Sequence, residues 1–136
     1  DSRTVAVAVH TTFVVVKVRV GALTGDNARR RKTVERGRVY LGNSGRNLAS
    51  SFHGVGSIFD TLYREGDLVD PPAHDVSVTL VPAGGAAVAE LTCEVPGEYT
   101  IVDHSIFRTE KGAMGIIKAE GPPRPDIYRG AKQDAR

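Results

Sequence analysis

Apolar and polar residues alternate with a period of two through most of the chain, as in "TVAVAVH" (4–10), "KVRV" (17–20), "RVYLGN" (38–43), "DVSVTLVP" (75–82) and "AVAELTCEV" (87–95). Successive side chains of a strand point to opposite faces, so this pattern predicts half-buried β-strands. The frequent valines strengthen that reading, because β-branched side chains pack well on a pleated surface. Helical periodicity is nearly absent. Turn chemistry separates the runs at "TGDN" (24–27), "GNSG" (42–45), "REGD" (64–67), "PAGG" (82–85) and "PGE" (96–98). Short strands at such intervals predict an all-β antiparallel sandwich or barrel. The stretch "IFDTLY" (58–63) fits either a strand or a short helical turn.

A length of 136 residues suits one domain with its own core. The single cysteine excludes an internal disulfide and the paired thiolates of a structural zinc site. Apolar runs such as Phe13 to Val16 are far too short for a membrane span, and the first ten residues lack the long apolar core of an export signal. The chain is expected to be soluble as given, with any export signal lying outside it. A formal charge of +2, no tryptophan and a single basic run at 29–32 argue against nucleic-acid binding. From Pro122 the composition shifts to prolines and scattered charge. Residues 122–136 are therefore expected to form an extended or disordered arm, from which Ile127 and Tyr128 could dock on a neighbour.

In a β-sandwich, a cysteine raises the question of a type 1 copper site, which takes a thiolate, two imidazoles and usually a methionine. Cys93, His104 and Met114 stand in the right order at the wrong spacings. Cys93 also shares a face with Leu91 and Val95, which turns it into the core, and Met114 is assigned to core packing as well. His74, in the polar stretch "PPAHD", is assigned to a solvated loop, and His10 to a partly buried strand end. His53 and His104 stand apart. Gly54 and Gly56 let the backbone beside His53 turn or approach closely, and Val55 offers an apolar wall. Asp103 and Ser105 flank His104 and could fix its tautomer. On the residues alone, each histidine fits either a functional site or a hydrogen-bonded structural role, and two imidazoles fall short of an open metal site's usual three protein ligands.

At "GALTGDNA" (21–28), "NLASSFHGVGSIFDTLYREG" (47–66) and the run from Val78 to Gly121 containing "PGEYTIVDHSIFR", the chain resembles the second cupredoxin domain of copper-containing nitrite reductases. The combination of "SSFH" with "VDHSIFR" carries the specificity. The resemblance implies a Greek-key β-sandwich of cupredoxin type over residues 21–121, preceded by an atypical strand segment at 1–20. It implies a periplasmic, denitrifying enzyme that reduces nitrite to nitric oxide as a trimer of two-domain subunits, without nucleic-acid or membrane partners. His104 matches the ligand that the second domain gives to a type 2 copper, completed by two histidines of a first cupredoxin domain that also carries type 1 copper. His53 matches the proton-relaying histidine and Val55 the apolar residue beside nitrite.

Val102 and Asp103 stand where the first domain has its His-Cys pair, so this chain is expected to hold no type 1 copper. Gly54 replaces the usual apolar residue, and Val78 stands where a hydroxyl residue commonly supports the relay histidine. Without first-domain residues, the chain by itself is expected to be inactive. The competing expectation is a non-catalytic cupredoxin-like module for binding or assembly, without copper.

Overall fold

The computed structural model describes residues 4–9, 12–21, 36–119 and 121–130, the first two stretches through their backbone only. The turn at 24–27, the basic run at 29–32 and His10 lie outside the described residues. Two sheets form, as the alternation predicts. One sheet joins β1 (Thr4–Val9), β2 (Thr12–Gly21), β3 (Arg36–Gly42), β8 (Ala86–Thr92), β5 (Phe59–Arg64) and β6 (Ala73–Val76), in that spatial order. The other joins β10 (Met114–Ala119), β9 (Gly97–Asp103), β4 (Ser50–Gly54) and β7 (Val78–Val81). All the pairings are antiparallel, and the crossings between sheets give a Greek-key β-sandwich. The single helical turn among the described residues is α1 (Ile106–Thr109), so no described helix is long enough to cross a membrane.

The inner faces meet in a core of Val39, Leu41, Phe52, Phe59, Leu62, Val81, Ala87, Ala89, Leu91 and Ile101. Phe52 of β4 stacks on Phe59 of β5 with ring centroids 5.5 Å apart, tying one sheet to the other. The ambiguous stretch around Phe59 resolves into a bulged strand. Phe59 pairs with Leu91 and Thr61 with Glu90, and the extra residue between them turns both Phe59 and Leu62 inward. Apolar residues three apart imitate a helix turn here.

Asp67 N–H donates to the Arg64 carbonyl across "REGD", where Glu65 and Gly66 both take positive φ, at 56° and 75°. The glycine relieves half of that demand. Cys93 packs partly buried against the core, as its face predicted. Met114 does not: it begins β10 on the outward face and is 45% exposed, while Ile117 of the same strand packs inward. His74 lies within β6 rather than in a loop, still exposed, with Nδ1 3.0 Å from the Asp60 carbonyl. Residues 121–130 include a turn in which the Ile127 and Tyr128 N–H groups both donate to the Arg124 carbonyl.

Candidate functional site

β4 lies between β9 and β7, and its alternation sends Ser50, Phe52 and Gly54 inward while Ser51 and His53 face out. His53 sits opposite Val102 on one side and Val78 on the other. His104 follows the last residue of β9, and its N–H donates to the Ser51 carbonyl at 2.7 Å. The fold thus brings the two sequence-selected histidines together, with ring centroids 5.4 Å apart and planes inclined by 70°. Val55 leaves the end of β4 with its N–H donated to the Thr100 carbonyl at 2.7 Å, and its side chain is exposed at the same end of the sheet.

Neither support expected for the imidazoles is the one observed. Val78 offers no hydroxyl, but the preceding carbonyl does the work: His53 Nδ1 lies 2.6 Å from Ser77 O. A carbonyl only accepts, so Nδ1 carries the proton and Nε2 is left to face solvent or a ligand. Asp103 and Ser105 do not touch the His104 ring. Asp103 points inward instead, where its carboxylate accepts from the Ser50 hydroxyl at 3.0 Å, Ser51 N–H at 3.1 Å, Ser105 N–H at 3.1 Å and Arg108 Nη1 at 2.7 Å. Among the described residues nothing hydrogen-bonds either ring nitrogen of His104, so this exposed imidazole is available to a ligand.

Burial pushes the Asp103 carboxyl upward, but hydrogen bonds from Ser105, Arg108, Ser51 and Ser50 outweigh it and hold the group below its ordinary value of 3.8. The stabilisation it gives is therefore complete above that ordinary value and fades as pH falls through the lower folded value. Both partners of the pair are buried. Truncating one leaves the other charge unpaired inside the protein, at a cost of about 3–5 kcal/mol. Sequence reading missed Arg108, although a carboxylate at an inward strand position calls for a partner and Arg108 lies five residues on. The Ser77 carbonyl had no sequence signal.

Gly54, buried behind the site, has its Cβ direction filled by the Ser57 hydroxyl, with Phe59 Cε1 3.8 Å away. A larger residue there requires the hydroxyl to rotate off the Gly54 carbonyl that it now bonds at 3.3 Å. The Ser57 hydroxyl thus occupies the space that a side chain at position 54 would take.

The outward face around His53 is apolar. Met114, Val102, His53 and Val78 form one register row across the four strands, and exposed Ile116 and Leu80 extend it. Ile106 and Phe107 of α1 are exposed beside His104. Exposed apolar side chains gathered on one sheet face in this way fit a contact surface. Among the described residues no group of three or more His, Cys, Asp or Glu side chains could hold a metal. The donor set fits a share of a metal site, one available imidazole beside a second ring, and not a whole one.

No protein-family profile matches the chain. It is 50% identical over 124 residues to a copper-containing nitrite reductase of Neisseria meningitidis serogroup B, a match covering 90% of this chain and 31% of that relative. Among solved structures, copper nitrite reductase from Nitrosomonas europaea superposes with a TM-score of 0.62 at 30% identity, covering 81% of this chain and 41% of that one. A copper-containing nitrite reductase from Thermus scotoductus gives a TM-score of 0.60 at 33% identity over 64% of this chain and 20% of that one. The chain thus spans less than half the length of each relative. In sequence and in fold it resembles the second, C-terminal cupredoxin domain of copper-containing nitrite reductases.

Proposed function

We propose that this chain is the second-domain component of a copper-containing nitrite reductase, acting with a first cupredoxin domain that carries type 1 copper. The observation that carries the reading is the meeting of His53 and His104 at 5.4 Å on an exposed apolar sheet face. His104 would hold a type 2 copper together with two imidazoles of the first domain, since this chain has no third donor within reach among its described residues. When bound, that copper supplies the electron and an open position for nitrite. Nitrite takes up one electron and two protons to give nitric oxide and water.

His53 supplies the proton path. Its Nδ1–H is committed to the Ser77 carbonyl, so the ring exchanges protons through Nε2 without turning. Imidazole is the side chain that exchanges protons most readily near neutral pH. Val55 walls the nitrite position, limiting water there. The apolar row from Met114 to Val78 is the surface on which the first domain closes the site. On this reading the complete enzyme is a periplasmic homotrimer in denitrification.

Mixing the chain with a first cupredoxin domain of this family, loaded with copper, is expected to give nitrite-dependent nitric oxide that neither component gives alone. No nitric oxide and no type 2 copper resonance from the mixture would instead favour a copper-free assembly module.

A further inference from the structure

We propose that the buried Asp103–Arg108 pair is a positioning device that sets the His104 imidazole against His53. Its consequence for copper rests on reading His104 as a ligand; its geometric part does not. The His104 ring has no hydrogen bond of its own among the described residues, so its placement must come through its backbone. That backbone is pinned at three consecutive residues. The Asp103 carboxylate, the Ser105 N–H that bonds to it, and the His104 N–H bonded to Ser51 O all converge on the start of β4.

The same carboxylate grips β4 directly through the Ser50 hydroxyl and Ser51 N–H, three and two residues before His53. Arg108 closes the clamp. Its Nη1 donates to Asp103 at 2.7 Å and to the Ala49 carbonyl at 2.6 Å, and its own carbonyl accepts from Ala113 N–H. Thr109 Oγ1 further ties α1 to the Asp103 carbonyl at 2.9 Å. One buried carboxylate therefore fixes the strand that carries His53 and the turn that carries His104. Site geometry is this sensitive to its support because ligand groups must be held within about 0.5 Å of the productive arrangement.

The test is a proton NMR measurement on the metal-free chain. A cross-peak between the ring protons of His53 and His104 is expected in the wild type, and Asp103→Asn should weaken it at least about twofold, since outer partners fix ring placement. Glu90→Gln disturbs another buried carboxylate, which Arg36 and Arg38 hold in the six-stranded sheet, and should leave the cross-peak intact. If Asp103→Asn loses its dispersed amide spectrum, Ser50→Ala carries the test, because it deletes a single bond to the same carboxylate. In the copper-loaded mixture Asp103→Asn and Ser50→Ala should bind type 2 copper roughly 10–100-fold more weakly, and Glu90→Gln as the wild type does. An unchanged cross-peak in Asp103→Asn or, where that variant unfolds, in Ser50→Ala overturns the proposal, as does equal weakening in Glu90→Gln. Absence of type 2 copper from the wild-type mixture overturns the ligand reading, which is a separate outcome from the ring cross-peak.

Discussion

His53→Ala, mixed with a copper-loaded first domain, is expected to keep type 2 copper and lose turnover by about 10²–10⁴-fold, the usual size of a positioned proton donor's contribution. The expectation follows from one hydrogen bond. Because Ser77 O can only accept, the Nδ1 proton is fixed, and every proton that the ring delivers must leave from Nε2. Alanine removes the carrier, and the carbonyl it leaves cannot replace it. His53→Gln, which keeps hydrogen bonding but carries no exchangeable charge, should be nearly as slow. Copper content measured beside kcat separates this role from ligation: loss of copper in His53→Ala would make His53 a ligand, and unchanged turnover would remove it from the proton path.

The second large effect is at His104. His104→Ala in the same mixture should weaken type 2 copper by more than about 100-fold, beyond the roughly 10–100-fold cost of losing an outer partner. The described residues supply no replacement donor. Cys93 is packed against the core, and Asp103 is engaged by Arg108 and β4. The partner domain's type 1 copper signal is the internal control and should be unchanged, because on the proposed reading none of its ligands comes from this chain. Since His104 is exposed, its removal should also leave the melting temperature close to that of the wild type, which separates ligand loss from unfolding.

The two-sheet architecture was legible because strand alternation is a direct consequence of backbone geometry, and it sorts Leu91 and Cys93 onto the core side without further information. It fails where the pleat is interrupted. The bulge between Phe59 and Thr61 puts Phe59 and Leu62 on one face at a helix-like spacing, and periodicity alone cannot separate that from a helical turn. It also fails where both faces of a strand are apolar. β10 offers Met114 and Ile116 to one side and Ile117 to the other, so the pattern does not say which side is the core; the structure turns Met114 out.

The histidine pair was readable in another way. His53 and His104 were selected by local context and family likeness, but their approach depends on Phe52 pairing with Asp103, a long-range register that no local pattern encodes. The supports were less legible still. Asp103 was assigned to the imidazole beside it in sequence, whereas a residue at an inward strand position faces the core, where Arg108 and Ser50 meet it. The support of His53 is a main-chain carbonyl, which any residue at position 77 would provide.

On the proposed reading the His104 imidazole binds a copper whose other ligands come from the first cupredoxin domain. The most direct measurement uses this chain labelled with ¹⁵N-histidine, mixed with an unlabelled first cupredoxin domain and copper, and read by pulsed electron paramagnetic resonance of the type 2 signal. The expected result is a directly coordinated ¹⁵N imidazole that disappears in His104→Ala, together with ¹⁴N imidazole couplings from the partner. A type 2 signal showing only ¹⁴N couplings would place every ligand in the other domain and contradict the account.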